Sequence, residues 1–281
     1  YWSIRREFWE NRSIYVAPLI AGGLFLFGFL ISTVHLPRKM RAALALASLH
    51  DQSLIEQPYN FAALLIMGVT FVVAVFYCLD ALHGERRDRS ILFWKSLPVS
   101  DRTTVLSKAL IPIVILPLLS FVITIVMQWI MLLFSSAVLI ASGVGAGALW
   151  TNLPICKMAL ILFYHLLVVH GLYYAPIFCW LLLVSGWARR ATFLWAGLPL
   201  LIIGGFEKIA FNSTHFAHML GVRMGGGGAD YPTSGNSFNL HPLTHFTSLD
   251  FLVSPGMLIG LAVAALFLVA SIRLRRNREP I

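Results

Sequence analysis

Charge is scarce in this chain. Asp, Glu, Lys and Arg make up 12% of its 281 residues, where soluble domains carry about 25%. Hydrophobic residues reach 58%, more apolar surface than a soluble interior of this size can hide. Lipid must therefore be the solvent for most of these side chains. Any polar stretch of roughly 50 residues, the least that a soluble domain needs, is also missing. The sequence predicts one membrane domain over 1–281 and nothing else. Cysteine is nearly absent: Cys78, Cys156 and Cys179 fall in or beside apolar segments, with no metal-ligand spacing and no disulfide framework. No Gly-x-x-x-x-Gly-Lys-Ser/Thr occurs, so the chain has no phosphate cradle, and the glycines at 225–228 lack the following lysine. The His-Glu-x-x-His and Gly-x-Ser-x-Gly patterns are missing too, which leaves an intramembrane protease without ligands or nucleophile.

What is there in quantity is apolar sequence in long runs. A bilayer core about 30 Å thick needs roughly 20 helical residues. Six runs qualify, at about 14–34, 61–79, 104–135, 159–183, 191–211 and 251–272. The fold class read from them is all-α, a polytopic membrane protein with six transmembrane helices. The first run is too long for a signal-peptide core and lacks a small-residue cleavage site. The uncharged stretch from Ala109 to Trp150 is long enough for two helices, and basic residues decide the count. With six spans, the inside holds Arg5, Arg6, Arg12, Arg86, Arg87, Arg89, Lys95, Arg102, Lys108, Arg189, Arg190, Arg273, Arg275, Arg276 and Arg278. These are 15 of the 21 lysines and arginines, the bias expected of cytoplasmic segments. A seventh span would expel the C-terminal cluster. Pro112 and Pro117 then read as kinks in a single third span, with 142–150 as its outer exit. Both termini are expected in the cytoplasm of a bacterial inner membrane. The net charge of +9 is topological, not a nucleic-acid footprint.

The segment 1–12 precedes the first span. Tyr1, Ile4 and Phe8 share one helical face with Trp2 and Trp9 beside it, while Arg6, Glu7, Glu10 and Asn11 lie mostly opposite. This pattern predicts a helix lying in the membrane interface, in contact with lipid. Outside, 35–60 and 212–250 are the substantial loops, and the glycine, serine, asparagine and proline of the latter predict irregular structure. No internal repeat is visible.

One segment says more than "membrane". Between the second and third runs, Glu85, Arg86, Arg87, Arg89, Ser90, Ile91, Leu92, Phe93, Trp94, Lys95, Leu97 and Pro98 form a charged frame around a short apolar core. Ile91–Trp94 is far too short to cross a bilayer. Gly84 is expected to end the preceding helix, Pro98 to stop the segment, and Ser100 or Asp101 to cap the third span. A short helix exposing Phe93 and Trp94 suits the membrane surface or a groove on a soluble partner.

The run from Glu85 to Lys108 resembles the coupling-helix region of the ABC-type-2 permeases, the membrane subunits of type V ABC exporters. The matching residues are Glu85, Ser90, Leu92, Leu97, Pro98, Ser100 and Lys108; Arg89 departs, standing where family members often have glycine. The motif-bearing match covers 85–108, and the architecture of the remainder agrees. The resemblance implies a coupling helix at 85–100 and a dimer of permeases, a second copy or a close homologue. It also implies two copies of a separate ATPase that binds the ATP and magnesium. This chain itself would carry no cofactor or metal and be no enzyme. The second and fifth spans would line a pathway, nominating Thr70, Tyr77 and Cys78 on one and Gly204–Lys208 on the other, with Glu207 and Lys208 the charged pair.

Two other classes compete. A membrane haem or quinone protein could use the nine histidines, yet His165 and His170 stand five apart, a spacing that does not share one α-helical face. His215 with His218, or His241 with His245, could reach a surface metal but lack a nearby cysteine. A secondary transporter would carry carboxylates inside its spans. Glu207 is the clearest candidate, although its position also fits the end of the hydrophobic zone.

Overall fold

The computed structural model describes residues 2–38, 52–88, 100–143, 145–225 and 250–277. Among the described residues nearly all are helical and no strand occurs. The helices are α1 (Trp2–Glu10), α2 (Ser13–Thr33), α3 (Gln52–Ala81), α4 (His83–Arg87), α5 (Asp101–Leu110), α6 (Leu116–Ala141), α7 (Gly147–Asn152), α8 (Ile155–His165), α9 (Ala175–Trp187), α10 (Thr192–Phe211), α11 (His215–Met224), α12 (Asp250–Val253) and α13 (Pro255–Asn277). Helical turns of the wider π type, Ile111–Ile115 and Leu166–Tyr173, join α5 to α6 and α8 to α9.

Six helices are long and apolar enough to cross a membrane: Ser13–Thr33, Glu56–Arg87, Asp101–Ala141, Leu149–Tyr173, Thr192–Phe211 and Pro255–Asn277. The third runs past its expected 104–135 at both ends, and α9 continues the fourth beyond Tyr174.

Two packed groups share α3. In the first, α2, α3 and α6 interdigitate around Ile66, Ile123, Met127 and Met131. Gly22 permits the close approach: a Cβ there would lie 2.7 Å from Met127 Sδ. In the second, α9 runs along α13 and against α3, burying Tyr77, Phe178, Leu182 and Met257. The α10 helix stands apart. Ala196 is its one buried residue, and Phe193, Leu201, Ile202, Phe206 and Ile209 face outward, as suits a surface in contact with lipid rather than water.

Proline and glycine explain where the two π turns meet. Pro117 has no N–H to offer the Ile113 carbonyl, which opens the helix there. Gly171, in the other π turn, packs against that carbonyl so tightly that a Cβ would lie 2.7 Å from Ile113 O. No other residue fits there without a backbone shift.

Two expectations change. Gly84 does not end the helix before it; it lies inside α4, and the break falls at Leu82 instead. Ser185 of α9 fixes that break, its Oγ accepting the Leu82 N–H at 3.0 Å and the His83 N–H at 2.8 Å. The segment 212–250 is not irregular throughout, since α11 occupies His215–Met224. Ser100 is the cap of α5, its Oγ accepting from Thr103 N at 3.2 Å.

Candidate functional site

The end of the bundle where α1, α4, the start of α5 and the end of α13 meet is the one the charge pattern assigns to the inside. Glu85 sits at its centre. The carboxylate sits in α4, one short helix past the break at Leu82 that Ser185 holds. Arg6 of α1 donates to Glu85 Oε1 at 2.9 Å, and Lys108 Nζ of α5 lies 3.2 Å from the same oxygen. Arg275 of α13 places Nη2 3.1 Å from Glu85 Oε2. One carboxylate thus touches cations from three other helices.

A second carboxylate completes the cluster. Glu7 is 1% exposed. Lys108 Nζ donates to its Oε1 at 2.9 Å, and the Tyr77 hydroxyl of α3 donates to its Oε2 at 2.8 Å. Burial pushes the Glu7 carboxyl up, but Lys108, the Tyr77 hydroxyl and Arg6 outweigh it and hold the group below its ordinary value of 4.5. Asp101, 3.6 Å from Arg275 Nε, and Glu10, 3.3 Å from Arg6 Nε, border the cluster. Lys108, Glu85, Glu7 and Arg275 are all buried. Such charges survive burial only when paired and hydrogen-bonded.

Arg86 extends the junction. It is buried and donates through Nη1 to the carbonyls of Gly186 at 2.9 Å and Ala188 at 3.3 Å. These carbonyls end α9, where a cation is favoured by the helix dipole. Between Glu85, Arg86, Arg275, Leu82 and Gly186 a narrow crevice remains. The arrangement has no nucleophile–base pair. Residues of α1, α5, α9 and α13 all bond to the short helix α4 that carries Glu85 and Arg86.

The sequence-predicted residues divide by position. Glu85, Arg86 and Arg87 are described; Glu85 and Arg86 are central, while Arg87 is exposed and reaches Asp88 at 3.1 Å. Arg89, Ser90, Ile91, Leu92, Phe93, Trp94, Lys95, Leu97 and Pro98 lie outside the described residues. Thr70 and Tyr77 are buried within the chain's own packing, the latter against Glu7. Glu207 lies at the opposite end of the bundle, where its carboxylate accepts from Ser213 Oγ at 2.6 Å and from the backbone N–H groups of His215 and Phe216 at 2.8 Å each. It is a cap for α11. Lys208, beside it in α10, has no ion pair among the described residues.

Sequence reasoning missed three members of the cluster. Arg6 and Glu7 read as the water-facing side of α1, whereas Glu7 is the most buried residue of that helix. Arg275 read only as a topology charge. The histidine reading is also corrected. His165 and His170 do meet, with ring centroids 5.7 Å apart, because the π turn that starts at Leu166 closes i→i+5 hydrogen bonds and is wider than an α turn, bringing positions five apart closer to one face. No group of three or more possible metal ligands forms among the described residues. Comparison with protein-family models, with curated proteins and with solved structures returned no match.

Proposed function

We propose that this chain is the membrane subunit of an ATP-driven ABC exporter. In this reading it sits in a bacterial inner membrane with both termini inside. It works as a pair, with a second copy or a close homologue, and with two copies of a separate ATPase that bind the ATP and magnesium. The cargo is amphipathic or lipid-like: a peptide antibiotic, a lipid or a drug. The pathway-lining roles of Thr70, Tyr77, Glu207 and Lys208 belong to the same proposal.

The supporting observation is the position of Glu85. It opens the segment 85–100 that resembles a coupling helix, and it is tied by charge to α1, α5 and α13. Force applied by a partner at 85–100 would enter the bundle through this residue and reach three helices at once. A passive surface helix has no need of such a cluster, and burying these charges is costly. Phe93 and Trp94 are aromatics of the kind that commonly dominates a docking contact, costing about 2 kcal/mol or more when truncated.

The test is co-expression with the partner ATPase. A complex of two permeases and two ATPases is expected, with no ATP hydrolysis by this chain alone. The double variant Phe93→Ala with Trp94→Ala should lose the ATPase or leave it bound and uncoupled. Assembly, hydrolysis and transport equal to the parent would refute the reading. A second reading, a haem-bearing redox protein, draws on the approach of His165 to His170, and a haem absorbance band on the purified chain would establish it.

A further inference from the structure

We propose that the outward face of α1 binds the anionic headgroups of phospholipids. The site is Trp2, Arg5 and Trp9, with Arg12 following at the joint to α2. Positions 2, 5 and 9 recur at steps of three and four, so they share one helical face. Trp2 is 73% and Trp9 69% exposed. The Arg5 guanidinium lies 5.4 Å from the Trp2 ring centroid and 4.9 Å from that of Trp9.

The remaining charges of α1 are spoken for within the chain. Arg6, Glu7 and Glu10 all take part in ion pairs, and Glu7 and Arg6 point into the buried cluster. Among the described residues, Arg5 and Arg12 pair with no carboxylate. The face is therefore cationic and aromatic, with no carboxylate of the described residues paired to its arginines. A guanidinium stacked on indoles keeps its in-plane N–H groups available, in the fork that matches two oxygens of one phosphate. Indoles settle at the headgroup level, where one edge is wet and one is apolar. Height agrees with chemistry: α2, an apolar helix long enough to cross a membrane, begins at Ser13, immediately after this face. The ion pairs on the inner side of α1 fix it at that level, so Arg5 and Arg12 are presented at the membrane boundary without further ordering.

This inference rests on the membrane-spanning reading with the N-terminus inside, and is independent of the ATPase. The test uses the full chain in phosphatidylcholine vesicles containing a minor fraction of brominated phosphatidylglycerol or, in parallel, of brominated phosphatidylcholine. Bromine quenches nearby tryptophan. The signal of Trp2 and Trp9 is the difference between the parent and the double variant Trp2→Phe with Trp9→Phe. Each arginine near a surface favours anionic lipid by about 1 kcal/mol, or about fivefold. Brominated phosphatidylglycerol should therefore quench that difference signal several-fold more strongly than brominated phosphatidylcholine. Arg5→Gln should lower the preference about fivefold and leave thermal unfolding in detergent unchanged, since Arg5 lies outside the cluster. Equal quenching by the two lipids in the parent would overturn the proposal. So would a difference signal that neither lipid quenches, which would turn this face to water and toward a protein partner. If no tryptophan of the chain were quenched by either lipid, the membrane reading itself would fail.

Discussion

Glu85 and Glu207 are both carboxylates at the ends of long apolar helices, and their surroundings differ in kind. Glu85 is met by full charges: Arg6, Lys108 and Arg275, from three separate helices. Glu207 is met by dipoles, the Ser213 hydroxyl and two backbone amides of the neighbouring helix α11. The cations divide the same way. Lys108 joins two buried carboxylates. Arg223, at the outer end, donates from Nε to the Tyr173 carbonyl at 3.2 Å and lies 4.5 Å over the Tyr173 ring. Gly260 leaves room for the Arg223 guanidinium, which any Cβ there would meet. A joint made of opposed buried charges breaks as a unit, because each loss strands a partner. A clasp made of one charge on neutral dipoles releases locally. One end, beside the segment 85–100, is thus held by opposed charges, and the α10–α11 hairpin by a carboxylate on neutral dipoles.

The largest effect should come from breaking the end held by opposed charges. Glu85→Ala leaves Arg275 with the more distant Asp101, and part of the charge of Arg6 and Lys108 uncompensated. Removing one partner of a buried ion pair costs about 3–5 kcal/mol. Thermal unfolding of the purified protein in detergent should show a marked drop, and a loss within about 0.5 kcal/mol would mean that the cluster is a solvated surface.

Acid should act on the same end more gently. The folded-state pKa of Glu7 lies below its ordinary 4.5, so the stabilisation is fully present above about that pH. It is lost as pH falls through the lower folded value. Glu10, which burial raises against the pull of Arg6, titrates first and with the opposite sign, since protonating it relieves repulsion with Glu7. The expected sequence on acidification is no loss near pH 5 and release of α1 well below 4.5, read as a drop in the thermal stability of the purified protein in detergent. Release already at neutral pH would contradict the pairing.

At the outer end the effects should be smallest. Arg223→Ala removes a cation–aromatic contact, about 1 kcal/mol. It should loosen α11 while leaving the unfolding of the bundle almost unchanged. Glu207→Gln should speed hydrogen exchange at the His215 and Phe216 amides alone. Global destabilisation by either change would remove the distinction between the two ends.

Much of the fold was legible because apolar runs of this length have few uses. Six runs in sequence correspond to six long apolar helices, and prolines at 112 and 117 marked the distortion in the third. The site was legible at Glu85, Arg86 and Lys108, which the motif and the loop position singled out. Arg6 and Glu7 were hidden because helical periodicity separates a polar from an apolar face but does not say whether the polar face meets water or opposite charge. Arg275 was hidden by a rule that counts arginines without asking what they touch. His165 and His170 were hidden because their approach requires a π turn, whose Gly171 packs on the Ile113 carbonyl and which leaves no periodic signal. Helix α11 was hidden because its cap, Glu207, belongs to another helix.

In the proposed function, Glu85 transmits force between the segment 85–100 and the bundle. The most direct measurement is permease-dependent ATP hydrolysis: the rate of the reconstituted complex minus that of the ATPase alone, for the parent and for Glu85→Gln. The glutamine keeps the shape and removes the charge that three helices share. The account predicts a complex that still assembles, with its permease-dependent hydrolysis and transport both reduced at least tenfold, which is about 1.4 kcal/mol of coupling. Assembly with hydrolysis and transport at the parent's rates would contradict it.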